Sequence, residues 1–102
     1  MLVNEKIKEE LYENAGDTRY QKALEYVKTG KVEIAKINYT NKDNFEITGK
    51  VTGQEIYRTN VTVESGEISD ITCECQDYRQ RYAACKHIIA TIMEFDENQK
   101  YE

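Results

Sequence analysis

The residues best suited to chemistry in this sequence are three cysteines and one histidine. All four lie within fifteen residues, as Cys73, Cys75, Cys85 and His87, and the remaining chain has no other Cys or His. Soft ligands scattered at random would not be so confined. Three thiolates and one imidazole make a common tetrahedral donor set for a structural zinc ion. Two ligand pairs separated by nine residues, 76–84, would close a chelate tying two elements together. A filled shell leaves no open position for water, so the expectation is one structural, non-catalytic Zn2+.

Other chemistries fit less well. Free cysteines pack readily in cores, but random burial does not explain the clustering. A disulfide would pair two thiols and strand the third. Cys85 with His87 as base would make a nucleophile, yet residues two apart at a helix start align poorly for proton transfer, and no third group orients them. Thiolates oxidise, so a redox switch is conceivable, but no feature favours it over simple structure.

The spacing constrains the elements that hold the ligands. In a strand, residues i and i+2 share a face, so Cys73 and Cys75 can point together where a strand ends. In a helix, residues two apart point about 200° apart. Cys85 and His87 must therefore straddle the first turn of a helix. There, unpaired N–H groups favour thiolate charge.

The hydrophobic patterning supplies those elements. The N-terminal third reads as two helices. Ile7, Leu11 and Ala15 make one stripe in a helix over 4–15, and Gly16 stops it. Asp17 or Thr18 is expected to cap a second helix, with Gln21 completing a capping box. Tyr20, Ala23, Leu24 and Val27 form its apolar face, and Gly30 ends it. The period then changes to two. Val32 and Ile34 alternate in one phase, while Ala35, Ile37 and Tyr39 take the other, which predicts a bulge near Ala35. Phe45, Ile47, Gly49 and Val51 form a second strand. Tyr57, Thr59, Val61 and Val63 form a third, and 67–72, with Ile68 and Ile71, a fourth. Turns fall at 41–44, 52–54 and Ser65-Gly66. Short turns imply an antiparallel meander. Residues 76–83 read as a loop, followed by a helix over about 85–98 with Ile88, Ile89, Ile92, Met93 and Phe95 on its sheet-facing side.

The fold expected is α+β: N-terminal helices, a four-stranded antiparallel β-meander and a zinc-clasped C-terminal helix. The whole of 1–102 is expected to be one domain, with a helical lead-in over 1–30, the sheet over 31–72 and the zinc finger and helix over 73–98. Chelation is expected to unfold the last third while leaving part of the rest.

Composition narrows the partners. Net charge is -5 and pI near 5.0, against a binder driven by large-scale phosphate neutralisation. The charge is uneven, however. From Cys73 to Ala90, Arg79, Arg81 and Lys86 face only Glu74 and Asp77. Tyr78 and Tyr82 interleave with these bases, a mixture able to touch phosphates and stack on bases or to anchor a protein. DNA and a protein partner are both expected candidates. Neither a membrane segment nor a site for a small-molecule substrate is evident. No secretory signal is present, so the expected location is cytoplasmic.

The ligand pattern resembles the SWIM zinc finger, written C-x-C, a variable spacer, then C-x-H. Lys86 completes the C-K-H string usual in that family, the apolar Ile88-Ile89-Ala90 follows, and Tyr78 fits the aromatic often found in the spacer. The motif covers 73–87, with compatible context over 54–95. The family occurs in bacterial proteins, in Mutator-type transposases and beside Swi/Snf-type helicase-like ATPases. The resemblance implies binding to DNA or protein partners. Residues 19–32, RYQKALEYVKTGKV, are similar to the lead-in helix before this finger at the N-terminus of bacterial Swi/Snf-type ATPases. No phosphate-cradling G-x-x-x-x-G-K-[ST] string is present. By resemblance the chain is expected to be part of, or a stand-alone relative of, such an ATPase.

Overall fold

A computed structural model describes residues 5–65, 67–81 and 83–99. The chain runs α1 (Glu5–Ala15), α2 (Asp17–Lys28), β1 (Val32–Asn41), β2 (Asn44–Thr52), β3 (Ile56–Glu64), β4 (Glu67–Cys73), α3 (Gln76–Arg81) and α4 (Lys86–Gln99). The four strands form one sheet in the order β1-β2-β3-β4, every pair antiparallel. This is the α+β meander the alternation predicts.

The helices α1 and α2 are separated by one residue. Gly16 takes φ 93, a conformation open to glycine at little cost, and turns the chain there. Its N–H donates to Tyr12 O at 3.1 Å, and its carbonyl accepts from Tyr20 N at 3.0 Å. The capping box does not form. Gly16 is itself the N-cap of α2, no side chain caps the helix, and Asp17 is its first residue. The turn needs a positive φ at the cap position, which excludes Thr18 from that role, while Asp17 still faces the positive end of the helix. At the other end Gly30 has φ 71, and its N–H donates to Val27 O at 3.2 Å, closing α2 where the sequence reading ends it.

The phase reversal in β1 is a real irregularity. The β1–β2 register shifts between Ile34 and Lys36, leaving Ala35 over. Ala35 is exposed and Tyr39 is 49% exposed, its ring lying 5.3 Å from that of Phe45. Asn41 Oδ1 closes the first turn by accepting from Asp43 N at 2.9 Å and Asn44 Nδ2 at 2.8 Å. A second shift, opposite Thr62 and Val63, places Ser69 outside the pairing. It lets Ile68 and Ile71, three apart, both pack against the core.

The inner face of the sheet carries Phe45, Ile47, Val51, Val61 and Val63, all buried. Against it lies α4, whose Ile88, Ile89, Ile92 and Phe95 are almost wholly enclosed. The Phe45 and Phe95 rings stack at 5.3 Å. Burial of α4 extends beyond one stripe: every residue from His87 to Met93 is buried. The reason is that α2 packs on the helix as well as the sheet. A helix enclosed on all sides is the centre of the core and not a cover on it.

The spacer expected to be a loop holds α3. Six residues, QDYRQR, are too few to be helical alone. Tertiary contacts hold them. The Tyr78 hydroxyl donates to Ile71 O at 2.8 Å, and Asp77 receives a bidentate pair from Arg19 of α2, Nε to Oδ2 at 2.8 Å and Nη2 to Oδ1 at 3.0 Å. Arg19 also donates to Ala15 O at 3.0 Å, so one guanidinium joins α1, α2 and α3. Both side chains are one-third exposed. Solvent screening keeps the pair modest, and Arg19→Ala is expected to lower stability by about 1 kcal/mol. A urea midpoint unchanged by that substitution would show the clamp to be ornamental.

Candidate metal centre

The donor atoms of Cys73, Cys75, Cys85 and His87 all lie within 4.8 Å of one another, and all four residues are buried. Each is brought there by a separate local device. Cys73 is the last residue of β4 and pairs with Thr59, which in turn pairs with Gly49. That row faces inward, so the register aims Cys73 beneath α4. Glu74 follows, its Oε1 accepting from Arg58 N at 3.4 Å.

Cys75 opens α3. Its carbonyl accepts from Arg79 N at 3.1 Å and its Sγ from Tyr78 N at 3.4 Å, the two bonds of an N-cap residue. Cys85 opens α4 in the same way. Its carbonyl accepts from Ile89 N at 3.1 Å, and the Ile88 N–H bonds its sulfur. His87 lies inside the first turn of α4, so the Cys85–His87 pair straddles the helix start as the two-residue spacing requires.

The His87 ring presents Nδ1 to the sulfurs, 3.8 Å from Cys73 Sγ and 3.9 Å from Cys85 Sγ. A tetrahedral zinc with Zn–S near 2.3 Å and Zn–N near 2.0–2.1 Å has S···N edges of roughly 3.6 Å. The observed edges fit that ion. Nε2 then carries the proton. It is buried with no hydrogen-bond partner among the described residues, and two tyrosine rings lie against the imidazole. Tyr57 lies 4.2 Å away at 20° and Tyr26 5.6 Å away at 39°.

Thr91, one turn along α4, fixes the backbone of His87. Its hydroxyl donates to His87 O at 2.9 Å. With that proton used, Thr59 is the donor in the buried 2.6 Å contact between the two threonine oxygens. The sheet is thus hydrogen-bonded to the turn that carries the ligand.

Without a cation the sulfurs crowd one another. The hydrogen bond that the Cys85 thiol donates to Cys73, together with burial, pushes Cys85 from its ordinary 9.0 up to about 12. Burial raises Cys75 as well. Burial and the approach of the other sulfurs disfavour ionisation of Cys75 and Cys85 unless a positive ion joins them, so the donor set fits one structural Zn2+. Zinc would supply the crosslink there, held by Cys73, Cys75, Cys85 and His87.

The other expected residues are distributed around this centre. Arg79 is exposed on α3, and Lys86 is half-buried at the start of α4. Neither forms an ion pair among the described residues. Tyr78 is half-buried, its hydroxyl engaged with Ile71. Arg81 closes α3, and its side chain, like Tyr82 as a whole, lies outside the described residues. Tyr26, Tyr57, Thr59, Thr91 and the Arg19–Asp77 clamp support the site but carry no motif. Their partners are 30 or more residues away in most cases, as in the 58-residue separation of Arg19 and Asp77.

Fold and site together define a small α+β zinc-binding module in which a metal clasps a strand end to two helix starts. Residues 57–94 match the family model of the SWIM zinc finger, a span holding all four donors. The match and the four converging donors agree on a zinc-binding module over this segment. No curated protein and no solved structure matches the chain. Among the described residues no helix is long and apolar enough to cross a membrane.

Proposed function

We propose that this protein is a nucleic-acid-contacting accessory module, its zinc purely structural, of the kind that serves a helicase-like ATPase. The observation that carries the reading is the zinc-held corner of α3 and α4, which displays Arg79 and Lys86 free of ion pairs among the described residues. Zinc makes that corner rigid, so the cations are presented without the entropy cost of ordering a loop. Arg81 belongs to the same helix.

The test is binding of a short labelled DNA duplex across a range of salt. Replacing Arg79, Arg81 and Lys86 with Ala is expected to weaken binding and flatten its salt dependence by about one unit of slope per lost phosphate contact. Absence of wild-type binding at low salt removes the reading.

A second reading, protein docking, is favoured by the other side of Arg79. A cavity of about 460 Å³ there is lined by Glu55, Ile56, Glu74 and Arg79 among others, and Ile56 is 65% exposed. An exposed apolar side chain ringed by both signs of charge suits a protein surface. Capture of a protein partner that is lost with Ile56→Asp, in a protein with no affinity for DNA, would establish it.

A further inference from the structure

The chain's basic residues are not equally placed to meet an anion. Arg79 opens into the cavity that also holds Glu55 and Glu74, so two carboxylates oppose it. A different notch, of about 380 Å³, lies where α2, α3 and α4 meet. It is lined by Thr18, Arg19, Lys22, Asp77 and Lys86. Three cations meet one carboxylate there, and both oxygens of that carboxylate are already bound by Arg19. Lys22 and Lys86 have no acid within ion-pair distance among the described residues. The exposed Thr18 adds a hydroxyl donor.

We propose that this notch seats a backbone phosphate of bound nucleic acid, held by Lys22 and Lys86 with Thr18 as a neutral donor. The proposal rests on the nucleic-acid reading above and assigns its strongest contact to a place that reading does not contain. The residues come from both ends of the chain. Lys86 belongs to the zinc finger, while Thr18 and Lys22 belong to the helix before the sheet. Arg19 holds the notch in shape: its pairing with Asp77 fixes α2 against α3 and removes the charge that would repel a phosphate. Because a phosphate needs charge and donors and not a base edge, the contact is independent of sequence.

Lys22 is exposed, so its replacement leaves the fold intact. With a short labelled duplex, Lys22→Ala is expected to weaken binding roughly five- to tenfold near 0.1 M salt and to lower the salt slope by about one. Lys50→Ala, on the sheet face away from the helices, is the control for net charge and should change neither. Inorganic phosphate at millimolar concentration separates a backbone phosphate from a free one: it should compete no better than chloride at equal ionic strength. The notch is overturned if Lys22→Ala binds like wild type, or if Lys50→Ala loses as much. In either case the zinc-finger reading stands. If wild type itself does not bind the duplex, both fall. Saturable binding of phosphate alone, abolished by Lys22→Ala, would replace nucleic acid with a small phosphate as the ligand.

Discussion

Removing zinc, or replacing Cys85 with Ser, is expected to unfold the sheet and α4 together. The ligand spacing alone suggests a narrower result, with loss confined to the last third of the chain. The structure changes that expectation because α4 is the centre of the core. Its Ile88, Ile89, Ile92 and Phe95 pack on the sheet, and α2 packs on the same helix. Releasing the helix start therefore releases the apolar contacts of every layer. Structural zinc in small domains contributes on the order of 10–16 kcal/mol at neutral pH. A domain of this size is stable by about 5–15 kcal/mol in all. Loss of one of four ligands is thus enough to leave little folded protein. One zinc per chain should be found by elemental analysis. Chelation should then abolish hydrogen-exchange protection in β2 and α2 as well as in α4. A metal-free protein with an unaltered melting temperature would end the zinc reading.

Zinc also sets the pH dependence of the folded protein. The ion binds only thiolates, so protons compete with it and stability is lost as pH falls. Without the ion the Cys85 thiol, at about 12 against an ordinary 9.0, acts in the opposite sense: the little folded protein left is favoured below about pH 9 and lost as pH rises toward 12. The melting temperature of zinc-loaded protein should therefore fall as pH is lowered. A melting temperature that rises on acidification would show that the metal does not bind through these sulfurs.

The second large effect is expected at Gly49, a residue with no chemistry of its own. A Cβ there would sit 2.7 Å from Thr59 Oγ1, 2.8 Å from Thr91 Cγ2 and 3.0 Å from Thr91 Oγ1. These are short β-branched side chains, fully enclosed and hydrogen-bonded to each other, so they have nowhere to move. Gly49→Ala must push α4 from the sheet or break the Thr59–Thr91 bond. Overpacking of about 1–3 kcal/mol and a buried unpaired hydroxyl of about 1–3 kcal/mol together predict a loss of roughly 2–6 kcal/mol. Since Thr91 also holds His87 O, zinc affinity should fall with stability. Adding Thr59→Ala and Thr91→Ala should restore part of the loss, a non-additivity that contact alone produces. A Gly49→Ala protein within 0.5 kcal/mol of wild type would mean the sheet and helix are not locked here.

Much of this protein is legible in order along the chain. Alternation of Phe45, Ile47 and Val51 and of Val61 and Val63 specifies strands, because the pleat repeats every two residues. The reversal at Ala35 reads as a bulge for the same reason. The donor set reads from Cys73, Cys75, Cys85 and His87, because chelation needs particular atoms at short spacing. These are local facts, and local facts are written in neighbouring residues. What tertiary structure alone decides involves partners far apart. Nothing near Gly49 marks it as the floor of a Thr59–Thr91 bond. Nothing near Gln76 predicts a helix, since α3 exists only through Cys75, Ile71 and Arg19. Nothing in Thr18 or Lys22 points to Lys86. Such contacts depend on how the layers stack, and the packing that sets them comes from the whole core at once. The four ligands belong to both accounts: their identity is written in the sequence, while their place at the hinge of the entire core is set by the fold.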